Sequence, residues 1–131
     1  MNREEANRIN TTMLAYLGDA VYELAIREMI VRKTPNDANK AHNRAVRYVA
    51  AEAQARAARA MMDGGFLSED EERLLKRARN HRVMSKSASA DIRDYKVATG
   101  FEALIGFLHL SEQDERLAEV VAEAVRIIDA E

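Results

Sequence analysis

Asp19 and Glu102 are carboxylates set inside strongly apolar helical patterns, Leu17-Gly-Asp-Ala-Val-Tyr-Glu23 and Phe101-Glu-Ala-Leu-Ile-Gly106. An isolated ionised carboxylate is costly to take out of water, whereas two that face each other across packed helices stay charged by sharing a divalent cation. The chain has no cysteine, so no thiolate is available, and a pair of carboxylate oxygens favours Mg²⁺ or Mn²⁺ over zinc. Each acid has a glycine close by: Gly18 directly before Asp19, and Gly106 one turn after Glu102. Glycine in a helix interior costs about 1 kcal/mol relative to alanine, so its presence points to a close approach by another backbone. Taken alone, Asp19 reads more simply as a surface acid beside a packing glycine. Glu102 in a second apolar helix changes that balance. Glu23 shares the face of Asp19 one turn on, and pairs equally well with Arg27.

Other chemistries find little support. His42, His81 and His109 fall in different segments with no ExxH or HExxH spacing, which argues against a di-iron or zinc bundle. His42 and His81 are expected to face solvent or a polyanion, and His109 to sit at a helix C-terminus as a dipole partner. No Gly-rich phosphate loop occurs, so no nucleotide cofactor is expected. The overall charge of −2 hides a division. From Arg73 to Lys96, eight Lys or Arg stand against two acids, a local +6; from Val97 to Glu131, two basic residues stand against eight acids, a local −6. A basic stretch in an acidic chain suits a polyanion, although such a run is as often a solvated helix face.

The elements that must position these residues are helical throughout. A content of one proline and five glycines, with abundant Ala, Arg, Glu and Met, predicts an all-α, compact helical bundle with its helices crossing over one core. A length of 131 residues predicts one domain, 1–131. The first helix is expected from Asn10 or Thr11 to about Arg32, with Leu14, Leu17, Val21 and Leu24 as its apolar repeat, ending at Thr34-Pro-Asn-Asp37. A second, Ala-rich helix is expected from about Asp37 to Met62, closed by Gly64-Gly65. Ser68-Glu-Asp-Glu71 is a capping box that starts a short helix to Arg79, with Leu74, Leu75 and Ala78 inward. Residues 80–90 read as an exposed loop. A further helix covers about Asp91 to Leu110, with Val97, Phe101, Leu104, Ile105 and Leu108 as a core stripe. Ser111-Glu-Gln-Asp114 offers a cap for a last helix to about Asp129, with Leu117, Val120, Val121, Ala124 and Ile128 inward. No apolar run approaches a membrane span, and the charged start Met1-Asn-Arg-Glu-Glu5 lacks the core of a signal peptide, so a cytoplasmic protein is expected.

Leu17-Gly-Asp-Ala-Val-Tyr-Glu23 resembles the signature helix of the ribonuclease III catalytic domain, and Phe101-Glu-Ala-Leu-Ile-Gly106 resembles that family's second acidic helix. Their order and separation agree as well. With no double-stranded-RNA-binding domain after residue 131, the resemblance narrows to the Mini-III ribonucleases, and Leu75-Lys-Arg-Ala-Arg-Asn80 is similar to the basic segment before their RNA-facing loop. The resemblance implies a homodimeric, Mg²⁺-dependent endoribonuclease that cuts double-stranded RNA and trims the large-subunit ribosomal RNA precursor. It implies Asp19 and Glu102 as the catalytic metal-binding acids, and 5′-phosphate and 3′-hydroxyl ends. Lys76, Arg77, Arg79, Arg82 and Lys86 are expected to contact phosphates. Larger ribonuclease III enzymes carry acids where this chain has Thr12, Ala15 and Thr99, a reduction shared with the Mini-III branch, so a single metal is expected. The competing reading is a non-catalytic RNA-binding or ribosome-assembly protein on the same fold, against which the retention of both acids speaks. A helical interaction domain whose basic loop binds an acidic protein is a further alternative.

Overall fold

Helix α6 (Asp91–Leu110) is apolar on nearly every side: Val97, Ala98, Gly100, Phe101, Ala103, Leu104, Ile105, Gly106 and Leu108 are all buried. A helix with no wide polar face must be enclosed, and the other helices pack around this one. The structure, a computed structural model, describes residues 1–34, 36–81 and 91–131. Before α6 come α1 (Arg3–Asn7), α2 (Thr11–Lys33), α3 (Ala38–Val49), α4 (Ala51–Asp63) and α5 (Glu69–Arg79), and after it α7 (Asp114–Asp129). Among the described residues there is no strand, so the all-α expectation holds. Helices α2, α4 and α5 make the broadest contacts with α6, while α3 lies against α2 and α7 against α4.

Helix α2 packs through a different stripe from the one its leucines suggest. The buried positions are Leu14, Ala15, Gly18, Tyr22, Ile26 and Ile30, whereas Leu17 and Val21 are half-buried and Leu24 is 59% exposed. The reason is Gly18. A Cβ built there would lie 1.6 Å from the Glu102 carbonyl oxygen, and one built on Gly106 would lie 2.0 Å from the Leu14 carbonyl oxygen. The two helices touch backbone to backbone, and that contact fixes the rotation of α2 about its axis. Tyr22 then meets Phe101 edge-on, with ring centroids 5.1 Å apart. Gly100 does the same work on the opposite side of α6, where a Cβ would lie 2.6 Å from the Leu75 carbonyl oxygen of α5.

The expected single helix from Asp37 to Met62 is two helices. Ala50 is extended (φ −60°, ψ 140°), although its sequence surroundings favour helix. The break frees carbonyls that a continuous helix would use internally. The Tyr22 hydroxyl donates to the Tyr48 carbonyl at 3.1 Å, and the Gln54 amide donates to the Val49 carbonyl at 2.9 Å. Tertiary partners therefore stabilise a turn that local propensity opposes. The close at Gly64-Gly65 is as expected. Gly65 takes φ +71°, and the Phe66 and Gly65 amides return to the carbonyls of Met61 and Met62 at 2.9 and 3.2 Å.

Two termini differ from expectation. Ser111 does not cap α7; its hydroxyl donates to the Phe107 carbonyl at 2.7 Å, and α7 starts at Asp114 with no side-chain cap. The short α1, capped by an Asn2–Glu5 box, has too few residues to show a period. The Ser68–Glu71 capping box is present in full.

Candidate active site

The contact of Gly18 with Glu102 brings the two acids together. Asp19 follows the glycine that rests on the Glu102 backbone, and both side chains line one cleft of about 390 Å³. Its wall is built from Thr12, Ala15, Tyr16 and Asp19 of α2, Gln54 of α4, and Tyr95, Thr99 and Glu102 of α6, with Val49 and Ala51 flanking the helix break. Asp19 is exposed at the rim and Glu102 is half-buried. Burial first, and then the charge and hydrogen bonding of Asp19, push the Glu102 carboxyl up to about 8, while a hydrogen bond from Gln54 pulls the other way. Among the described residues no Lys, Arg or His lines the cleft, so neither acid has a cationic side chain there from that set.

This donor set fits a hydrated Mg²⁺ or Mn²⁺. Such an ion keeps several waters and needs only one or two carboxylates, and it would supply the charge that the cleft lacks. Among the described residues no cluster of three or more His, Cys, Asp or Glu is close enough to form a closed metal cage. Thr12 and Ala15 line the same cleft from α2 and Thr99 from α6, so the positions without acids do face the site. A larger cleft of about 540 Å³ lies between α2 and α3, but its acids are engaged elsewhere. Glu23 accepts from Arg27 at 3.1 Å, which leaves it outside the Asp19 site, and Asp37 caps α3 at the Lys40 amide.

The basic segment is placed apart from the acids. Lys76, Arg77 and Arg79 close α5 and do not line the cleft. Lys76 is 3.8 Å from Glu72, Arg77 donates to the Asn7 carbonyl at 3.2 Å, and Arg79 donates to the Asn80 side chain at 3.1 Å. Arg82 and Lys86 lie outside the described residues. His42, His81 and His109 are all exposed, His109 in the last turn of α6. Gln54 was not singled out in the sequence, where its one signal is a lone amide in the alanine run Ala53-Gln-Ala-Arg-Ala57.

Residues 12–113 match the model of the Ribonuclease III domain, a span that includes both acids and the whole of the cleft. The chain belongs to the ribonuclease III family. Within it, the relatives are Mini-ribonuclease 3 proteins: 45% identity to that of Enterococcus faecalis, covering 87% of this chain and 86% of the relative. The Streptococcus pneumoniae protein is 40% identical over 95% of this chain and 98% of its own, and that of Brevibacillus brevis 42% over 100% and 99%. In structure, the chain is similar to a crystal structure of a Fusobacterium nucleatum protein, with TM-score 0.77, 25% identity and coverage of 91% and 93%. The ribonuclease III family is thus reached from two directions, the paired acidic helices and the full-length likeness to Mini-ribonuclease 3 proteins.

Proposed function

We propose that this chain cleaves double-stranded RNA in the cleft between α2 and α6, with one divalent cation, Mg²⁺ or Mn²⁺, held by Asp19 and Glu102. Membership of the ribonuclease III family makes it an endoribonuclease. The finer reading rests on one observation: two carboxylates share a cleft that no cationic side chain lines among the described residues, one of them half-buried and pushed up to about 8. A divalent cation at this place supplies Lewis acidity toward a phosphate oxygen and a water of lowered pKa. Asp19, at the rim, and the half-buried Glu102 would be the residues that hold the ion. The Gly18–Glu102 backbone contact keeps the two acids in register.

The duplex is bound through backbone shape, which suits basic side chains better than a base-reading helix. Lys76, Arg77 and Arg79, with Arg82 and Lys86, are the proposed phosphate contacts. A homodimer is the proposed assembly, which sets one cleft against each strand. Support comes from the outer face of α2, where Met13, Tyr16, Leu24 and Val31 share one side and are 58%, 78%, 59% and 57% exposed. The proposed substrate is the large-subunit ribosomal RNA precursor, and the proposed setting the cytoplasm; no described helix is long and apolar enough to cross a membrane.

The test is incubation of a long RNA duplex with the protein in Mg²⁺ or EDTA, beside Asp19→Asn and Glu102→Gln. Cleavage in Mg²⁺ alone, abolished by either substitution, is the expected result. Cleavage indifferent to both substitutions defeats the site, and an inert unaltered protein that still binds duplex favours the binding-only alternative.

A further inference from the structure

Gln54 is 2% exposed and lies in α4 between alanines, yet it reaches into the cleft of Asp19 and Glu102. Its amide nitrogen carries two hydrogens. One is donated to the Val49 carbonyl at 2.9 Å, at the break between α3 and α4. The other is available to the Glu102 carboxylate, which lines the same cleft and whose proton affinity Gln54 lowers. Its Oε1 is buried and has no hydrogen-bond partner among the described residues.

The plain structural role of this side chain is to satisfy a carbonyl freed by the helix break, as Tyr22 does for the neighbouring carbonyl of Tyr48. That role alone is a poor exchange. It satisfies one acceptor, Val49 O, by burying another, Oε1, with no donor, and a buried unsatisfied acceptor is a penalty of the same kind. What the amide adds beyond that near-balance is its second N–H toward Glu102. We propose that Gln54 is a positioning residue for the divalent-cation site, its amide fixing the Glu102 carboxylate toward Asp19 and tying the site to the helix break. This rests on the reading that Asp19 and Glu102 hold a cation. Carboxylate ligands are themselves oriented by hydrogen-bonding neighbours, whose loss commonly lowers metal affinity by about 10–100-fold. Gln54 supplies such a neighbour from α4, so that α2, α4 and α6 each contribute a side chain to the site.

The experiment measures Mn²⁺ binding, by calorimetry and by the paramagnetic signal of the free ion, to the unaltered protein, Gln54→Met, Tyr22→Phe and Asp19→Asn. Gln54→Leu is prepared as a second apolar variant should the Met variant fail to fold. Tyr22→Phe removes the other tie across the same break without touching Glu102, so it reports what loosening the break does by itself. The expected result is Mn²⁺ affinity weakened about 10-fold or more in Gln54→Met and close to unaltered in Tyr22→Phe. Duplex cleavage by Gln54→Met is expected to recover when Mg²⁺ is raised, since a misaimed ligand weakens binding but leaves the chemistry in place. Equal affinity in Gln54→Met and the unaltered protein overturns the inference, as does an equal loss in both break variants or a cleavage defect that Mg²⁺ does not relieve. If Asp19→Asn and the unaltered protein bind Mn²⁺ alike, the cation site itself is wrong, an outcome separable from failure of Gln54 alone.

Discussion

Glu71 and Glu102 are glutamates that face the packed interior from neighbouring helices, α5 and α6, and their surroundings act on them in opposite directions. Burial raises the Glu71 carboxyl, but Arg116 and the Ser68 cap outweigh it, and the group is held below its ordinary range. Arg116 grips both carboxylate oxygens at 2.8 and 2.9 Å, reaches the Phe66 carbonyl at 2.7 Å, and lies over the Phe66 ring. Glu102 has burial, a second carboxylate and an amide for neighbours, and it is pushed up to about 8. A carboxylate with a fixed guanidinium needs nothing more and serves as a structural clasp between α5 and α7. One opposed by another acid keeps its proton up to about 8 unless a cation arrives from outside. The contrast between the two separates a joint from a site, and it can be broken or sharpened at several points.

The largest expected effect is on catalysis. Glu102→Gln should lower the cleavage rate by at least roughly 10³-fold, about 4 kcal/mol of barrier, with the fold intact by circular dichroism. Glu71→Gln should keep most activity at temperatures where it is folded; equal losses in the two variants would erase the distinction. Next comes the geometry that gathers the acids. Gly18→Ala places a methyl within 1.6 Å of the Glu102 carbonyl, where backbone must move. Denaturant unfolding should show a loss of about 3 kcal/mol or more. A variant as stable as the unaltered protein would mean that α2 and α6 are not locked at this crossing.

The clasp should show a smaller cost and a characteristic rescue. Arg116→Met leaves the Glu71 carboxylate without its guanidinium and should destabilise by about 2–3 kcal/mol, less than for a fully buried pair because Arg116 is partly exposed. Arg116→Met with Glu71→Leu should recover much of that loss, since no charge is then stranded. Failure of the double variant to recover would show that Arg116 acts mainly through Phe66.

The smallest effect is in the pH dependence, and its sign differs between the two acids. Glu71 is lowered from 4.5, so its contribution is present above that value and lost as pH falls through its folded pKa. Glu102 is raised from 4.5 to about 8, so the folded state holds the extra proton, and stability without metal should fall as pH climbs from about 4.5 through about 8. The groups facing it are Asp19 and Tyr16 from α2, the Gln54 amide from α4 and Tyr95 from its own helix. Melting curves in EDTA across that range should slope downward for the unaltered protein and less so for Glu102→Gln. Mg²⁺ bound at the proposed site would displace the proton, so its affinity should rise over the same interval.

Much of this was legible in the chain itself. Composition and period identify helices, and the Ser68–Glu71 box and Gly64-Gly65 mark ends that the structure keeps, because capping and left-handed turns depend on a few adjacent residues. The core stripe of α6 is also readable, since every residue at its helical spacing is apolar. Asp19 and Glu102 stand out because acids are unusual in such patterns, and the glycines beside them announce a close helix contact.

Which face of α2 is buried was decided only by tertiary packing. Its apolar residues surround most of the helix, and the backbone contact at Gly18 selects the stripe with Tyr22 and Ile26 while leaving Leu24 in solvent. The break at Ala50 is likewise invisible in an alanine-rich run, because its partners, Tyr22 among them, are supplied by folding. Gln54 and Arg116 acquire meaning from neighbours distant in the chain: the amide from Glu102, the guanidinium from Glu71. Sequence determines which residues carry charge and which segments are helical, since both depend on near neighbours. Whether a buried glutamate becomes a clasp or a site depends on what the fold sets opposite it.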